Sequence, residues 1–240
     1  MTDIATNLNT IDGSLSDIKT AIVNKGGTVS GNITTFATAI DNIPSGGSGG
    51  KYALLDRVID DNDNEIGTVC GFFTDANDVE YAVVCLDAQY RLAEGQYCSY
   101  TGGDITNLPT YTNQSLYSAN ETSTYNTQKI LDFCSSNGYT STACTHCRSK
   151  SFTINNVIYY GQLPNIIELI DIFKNRVKIN TLDISPSSYS GLAIPTSINT
   201  WSSTQKQLGS SWYINIYGNV YDIGKNYNFL VVPVLEIPLN

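Results

Sequence analysis

The residue types best suited to chemistry gather in one short stretch. Cys134, Cys144, His146 and Cys147 are three thiols and the chain's single imidazole. Thiolate and imidazole are the ligands of structural zinc sites. The spacing is poor for that purpose: Cys144, His146 and Cys147 crowd one another, and no second C-x-x-C occurs. A disulfide within this group is an alternative, and free thiols packed as small apolar groups are the plainer reading. Cys70, Cys85 and Cys98 complete the six cysteines. The N-terminus Met1-Thr2-Asp3-Ile4 shows no basic segment followed by an apolar one. No export signal is therefore expected, which favours reduced thiols. Nucleophilic catalysis through Ser or Cys needs a base, and His146 has no acidic partner nearby in sequence. An acidic loop, Asp61-x-Asp63-x-Glu65-x-Gly67, is faintly of the calcium-binding kind, but it lacks the glycine at the sixth position and the closing glutamate. A solvated turn is the plainer reading. Neither an enzyme nor a cofactor is expected from these residues.

The elements that would position these residues follow from periodicity. Segments 53–59, 68–74 and 80–86 read as strands, the last two as a hairpin around Asp75-Ala76-Asn77-Asp78. Residues 91–124 form a long polar stretch with Tyr97, Tyr100, Tyr111 and Tyr117. Residues 126–137 read as a helix capped by Asn126 and ended by Gly138. Phe152 to Tyr160 reads as a hairpin turning at Asn155-Asn156. Asn165 with Glu168 forms a capping-box pair before a helix to Val177, buried through Ile166, Leu169, Ile170, Phe173 and Val177. Trp201 to Gln205 and Ser211 to Ile216 read as strands. Trp212, Ile214 and Ile216 alternate with Tyr213, Asn215 and Tyr217, and Gly218 supplies a turn. Phe229 to Leu235 reads as one strand covered on both faces. Trp201 and Trp212 are expected in the core.

Composition bounds the function class. Of the 240 residues 15% are charged, against about 25% in an average soluble chain. Tyr, Ser, Thr, Asn and Gly are abundant, which suits recognition surfaces. The net charge is −9, and the 13 Lys and Arg are scattered. Nucleic-acid binding needs them clustered. No apolar run reaches membrane-spanning length.

At the N-terminus, Ile4, Leu8, Ile11, Leu15, Ile18 and Ile22 recur at alternating spacings of four and three. This is a heptad seam with Leu8, Leu15 and Ile22 at a, and Ile at d. Leu at a with Ile at d favours trimers or tetramers. A lone amphipathic helix is the alternative. A second short helix is expected over residues 28–43, and Gly46-Gly47-Ser48-Gly49-Gly50 is a linker. The expected domains are residues 1–44 for oligomerisation and anchoring, 45–50 as linker, and 51–240 as the main domain.

The motif order supports a family resemblance. Trp201-Ser202-Ser203-Thr204, then Trp212-Tyr213-x-Asn215, Gly218, Lys225 and Val231-Val232-Pro233-Val234 resemble a C-type-lectin-like domain family. That family occurs at the C-termini of phage fibres and bacterial adhesins, and in the variable proteins of diversity-generating retroelements. Gly161 to Leu169 resembles its G-x-L-P-x-x-x-E-L helix start. Residues 18–31, with Lys25-Gly26-Gly27-Thr28-Val29-Ser30-Gly31, resemble a short anchoring module of phage tail and fibre proteins. The resemblance implies an α+β, C-type-lectin-like C-terminal domain behind an N-terminal helical coiled-coil segment. It implies a virion fibre protein, made in the host cytoplasm. The chain would be a homotrimer held to other virion structural proteins by its N-terminus, with a host surface protein or glycan as its other partner. A head-decoration protein without receptor binding and a bacterial surface adhesin are the alternatives. Calcium-dependent sugar binding is not implied, because the Trp201 motif continues with Ser202-Ser203 and no E-P-N or Q-P-D occurs. In the family, variation concentrates around the last hairpin. The corresponding candidate contact residues are Gln205, Gln207, Ser210, Tyr213, Asn215, Tyr217, Tyr221, Asn226 and Asn228. The plainer reading of these is an ordinary solvated hairpin.

Overall fold

The structure is a computed structural model and describes residues 51–113, 115–183, 193–194, 199–207 and 209–239. The chain divides into two units, Met1–Ala53 and Leu54–Asn240, and the second is described here. The heptad seam from Ile4 to Ile22, the helix over 28–43 and the Gly/Ser linker all lie outside the described residues.

Eleven strands and three α-helices make up the described chain. β1 (Arg57–Ile59), β2 (Glu65–Thr74) and β3 (Glu80–Leu86) form an antiparallel meander. β4 (Leu92–Gln96) leads to α1 (Ser123–Asn137) and α2 (Thr142–Arg148). β5 (Ser151–Ile154) and β6 (Val157–Tyr160) pair as a hairpin. α3 (Ile166–Leu182) follows. β7 (Thr200–Gln205), β8 (Ser210–Ile214), β9 (Val220–Gly224), β10 (Asn228–Val231) and β11 (Val234–Pro238) end the chain. One sheet has the order β1-β2-β3-β11 and a second the order β4-β10-β7-β8-β9.

Two cores lie on opposite faces of the five-stranded sheet. Trp212, Ile214 and Leu230 point toward α3 and the four-stranded sheet, meeting Leu169, Ile172, Phe173 and Val83. Trp201, Phe229 and Val231 point the other way, toward Ile130 of α1 and Ala143, Cys144 and Cys147 of α2. This corrects the expected fold class. An α+β domain segregates its helices to one side or end; here helices cover both faces of one sheet, and β10 pairs with β7 in parallel. The described chain is a sheet-rich, mixed α/β domain rather than a C-type-lectin-like one, and no long coiled-coil helix occurs among the described residues.

Local chemistry accounts for most boundaries. Thr122, not Asn126, caps α1, with its hydroxyl accepting from Tyr125 N at 3.0 Å. Asn126 is instead buried in the helix, donating to Ser203 Oγ at 3.3 Å. Gly138 ends α1 in the left-handed region at φ 72°, as a residue without Cβ permits. Val177, expected on the buried face of α3, is instead exposed. No element is expected from periodicity over 142–148, where α2 lies. Ser141 caps it, accepting from Cys144 N at 3.1 Å. The run Phe229–Leu235 is not one strand. It breaks at Val232-Pro233 and crosses from the five-stranded to the four-stranded sheet. Pro233 has no N–H to give a ladder, while its carbonyl accepts from Leu86 N at 3.0 Å. Gly95 lets β4 approach closely, since a Cβ there would lie 2.4 Å from Val231 Cγ2.

The N-termini of α1 and α3 meet over two carboxyl groups. Asn165 and Glu168 form the capping box, with Glu168 N donating to Asn165 Oδ1 at 2.9 Å and Asn165 N to Glu168 Oε2 at 2.8 Å. Ser123 Oγ also donates to Glu168 Oε2. Glu236 of β11 accepts from Ser123 N at 2.6 Å and Thr124 N at 2.9 Å, so it caps α1. Burial, then the charge and hydrogen bond of Glu236, hold the Glu168 carboxyl well above its ordinary value. Oε1 has no hydrogen-bond partner, which adds to the cost of a charged carboxylate there. The native state thus binds a proton that the unfolded chain releases above about pH 4.5. Stability from this group is complete below that pH and falls by about 1.4 kcal/mol per pH unit as pH rises toward the native value. Glu168→Gln keeps the acceptor and removes the titrating group. Urea unfolding at pH 5 and pH 8 should show the variant gaining on the parent protein as pH rises. Parallel pH dependences would contradict a protonated Glu168.

Candidate functional site

β8 and β9 form the outer hairpin of the five-stranded sheet. Alternation puts Tyr213 on the face opposite Trp212, as expected, but that face is partly covered. Tyr213 lies half-buried against Phe229, with ring centroids 4.8 Å apart, and against Trp201 at 6.3 Å. Tyr221 is its cross-strand partner, at 6.1 Å. Tyr227, in the turn before β10, lies 6.3 Å from Phe229. A continuous chain of rings therefore runs from the wholly buried Trp201 out to Tyr221, 49% exposed, and Tyr227, 52% exposed. Offset and edge-on aromatic contacts at these spacings are favourable beyond simple burial. They fix the outer rings on a rigid sheet.

The other candidate residues divide into three kinds. Asn226, Asn228 and Gln207 are exposed, and Ser210 is half-exposed at the start of β8. Gln96 Nε2 donates to the Asn226 carbonyl at 2.8 Å and holds that turn to β4. Asn215 is occupied by its own turn, its Oδ1 accepting from Tyr217 N at 3.0 Å and Asn219 N at 2.9 Å. Tyr217 stands 76% exposed at the tip, outside the chain of rings. Gln205 is not a surface residue at all. It is wholly buried, and Oε1 accepts from Ile105 N at 2.6 Å and Lys225 Nζ at 2.5 Å, while Nε2 donates to Leu108 O at 3.2 Å. Its amide staples the loop after β4 to the hairpin. Lys225 completes the staple, donating to Gly103 O at 2.9 Å. Burial draws the Lys225 ammonium down to about 8, against the pull of Asp104.

The opposite face of the hairpin carries a charge pair. Lys206 Nζ lies 2.5 Å from Asp222 Oδ1 and 5.0 Å from the Trp212 ring centroid. Tyr227 was missed among the sequence candidates, although it lies between Asn226 and Asn228. Of the four loop tyrosines only Tyr117 is exposed. Tyr97 is buried, donating to Ser203 O at 3.0 Å. Tyr111 donates to Glu121, and Tyr100 packs on Phe133 and Tyr139.

The metal-ligand candidates are not brought together. His146 Nε2 lies 2.7 Å from the Tyr90 carbonyl, and burial lowers its pKa. Cys144 and Cys147 are buried on the inner side of α2, where burial raises both thiols. Cys134 faces Cys98 instead. Among the described residues no group of three or more His, Cys, Asp or Glu is placed to hold a metal ion. The acidic loop is likewise committed. Asp61 accepts from Asn155 N and Asn156 N at 2.7 and 2.8 Å, Glu65 pairs with Arg57 at 3.0 Å, and Asp60 accepts from Asn62 N and Asn64 N at 2.9 Å. No helix among the described residues is long and apolar enough to cross a membrane. Comparison with family models, curated proteins and solved structures gives no match for this chain.

Proposed function

We propose that this chain is an attachment protein of a phage virion, binding a host surface protein or glycan through the outer hairpin of its five-stranded sheet. The carrying observation is the chain of rings from Trp201 through Phe229 and Tyr213 to the exposed Tyr221 and Tyr227. Rigid tyrosines offer large contact area at little loss of side-chain freedom, and the flanking Asn226, Asn228 and Gln207 supply adaptable hydrogen bonds. Of the hairpin's cations, Lys206 lies on the opposite face, paired with Asp222, and Lys225 is buried, which suits a neutral ligand better than a nucleic acid. The motif order from Gly161 to Val234, and its resemblance to phage fibre and adhesin sequences, supports the same reading. The test is binding of fluorescently labelled full-length chain to a panel of bacterial cells and to a glycan array. Saturable binding to particular cells or glycans is expected; binding to none would remove the reading.

The heptad seam from Ile4 to Ile22 supports a homotrimer docked to other virion proteins by its N-terminus. Three copies of a weakly bound face gain avidity when they engage one surface together. Light scattering of the full chain at micromolar concentration should give three times the 26.1 kDa of one copy. A monomer mass would refute self-assembly through the seam.

A further inference from the structure

Cys98 and Cys134 stand apart from the other thiols. Cys98 lies just beyond β4 and Cys134 in the last turn of α1, and their sulfurs are 3.3 Å apart. Cys98 is held from both sides: its N–H donates to Lys225 O at 3.0 Å, and its Sγ accepts from Tyr100 N at 3.4 Å. The adjoining Ser99 is tied to Thr140 by two hydrogen bonds of 2.8 and 2.9 Å. The two thiols are therefore kept face to face. The remaining cysteines are placed otherwise. Cys70 and Cys85 lie against the carbonyls of Val83 and Leu86, and Cys144 and Cys147 are enclosed in the core.

Access exists on one side only. Cys134 forms part of the wall of a groove of about 550 Å³ between α1 and α2, together with Leu131, Ser135, Tyr139, Thr142 and His146. Cys98 is wholly buried behind it. The hydrogen bond from the Cys134 thiol lowers Cys98 to about 7, helped by Tyr100 N–H and the nearby Lys225 charge. Cys134 is raised in turn. The two sulfurs thus share one proton, so either can carry the charge, and Cys134, 4% exposed, is the member at the groove wall.

We propose that Cys98 and Cys134 are a redox-active dithiol, closed to an intramolecular disulfide by exchange with a low-molecular-weight disulfide entering the α1–α2 groove. Cys134 Sγ attacks one sulfur of the small disulfide while its proton passes to the Cys98 thiolate. The small S–S bond breaks, a mixed disulfide forms on Cys134, and one small thiolate leaves. Cys98 then attacks Cys134 Sγ, its proton going to the departing thiolates, and the second small thiol is released. Two protein thiols are oxidised by two electrons and one small disulfide is reduced to two thiols. Only about 1.3 Å of further approach brings the sulfurs to bonding distance. The link would pin the segment following β4 to α1, beneath the sheet that carries the tyrosine face.

The test uses the full chain and oxidised glutathione. Thiols are alkylated under denaturing conditions before and after incubation, and linked peptides are mapped by mass spectrometry. Two of the six thiols should disappear, in a peptide joining Cys98 to Cys134, with no glutathione retained, and dithiothreitol should restore both. Cys98→Ala should accumulate a glutathione adduct on Cys134, and Cys134→Ala should lose no thiol pair. Six unreacted thiols in the parent protein would overturn the proposal. So would a link through another cysteine, or a stable glutathione adduct on the parent protein. The parent result stands whether or not either variant folds.

Discussion

Replacing Trp201 by Ala should lower unfolding free energy by about 3–5 kcal/mol, the usual cost of truncating a buried large aromatic. Trp201 has no exposed surface and contacts the rings of Tyr97, Phe229 and Tyr213 at 5.7, 4.6 and 6.3 Å. Its indole N–H donates to Gly95 O at 2.8 Å, which joins β7 to β4 across β10. The substitution therefore opens a cavity and also orphans a buried carbonyl. For a domain of this size the melting temperature should fall by about 10–15 °C. Trp201→Phe should recover most of the volume but not the hydrogen bond, and fall between. Thermal and urea denaturation of the three proteins measure this. A loss below about 1 kcal/mol in Trp201→Ala would show that the second core does not depend on this ring.

The second large effect concerns binding. Changing Tyr221 and Tyr227 together to Ser should weaken attachment to a bound cell or glycan by about a hundredfold or more, since interface tyrosines can each cost 2 kcal/mol or more when truncated. Both rings are about half exposed, so the melting curve should move little. Tyr213 is unsuitable for this test, because its ring packs on Phe229 at 4.8 Å and its loss would disturb the fold. Tyr217→Ser, at the detached tip, should have a smaller effect. Unchanged affinity in the double variant, with an unchanged melting curve, would move the site off this hairpin. Tyr117, exposed in the turn before α1, would then be the next surface to test.

Local patterns were legible wherever one side chain acts on its own backbone or on a period. The Asn165–Glu168 box, the left-handed Gly138, the Asn155-Asn156 turn and the opposition of Trp212 to Tyr213 all belong to that class. α2 was hidden because Thr142-Ala143-Cys144-Thr145-His146-Cys147-Arg148 has only one strong helix former besides its last residue. Its stability comes from burying Ala143, Cys144 and Cys147 against β4. The break at Val232-Pro233 was hidden because a doubly buried run has no alternation to show where it changes sheets. Gln205 was misread for a third reason. Its amide is consumed by Ile105 and Leu108, a hundred positions away, and polarity in one sequence does not distinguish a solvated amide from a buried staple. The expected fold class failed for the same cause: which face each helix covers depends on pairings such as β10 with β7, not on the elements themselves.

The crossing at Pro233 governs the order in which the protein can be made. β10 is an interior strand of the five-stranded sheet, and β11 pairs with β3 through Val234↔Cys85 to Pro238↔Tyr81. On a ribosome, residues 57–224 emerge before either strand exists. Until residues 228–238 follow, β4 is cut off from β7, and β3 has an unpaired edge. Both are templates for pairing with the wrong chain. Contacts over such sequence separations also close slowly. Productive folding is therefore held back until this short segment clears the exit tunnel, and the yield of soluble protein should depend on how long the nascent chain waits there.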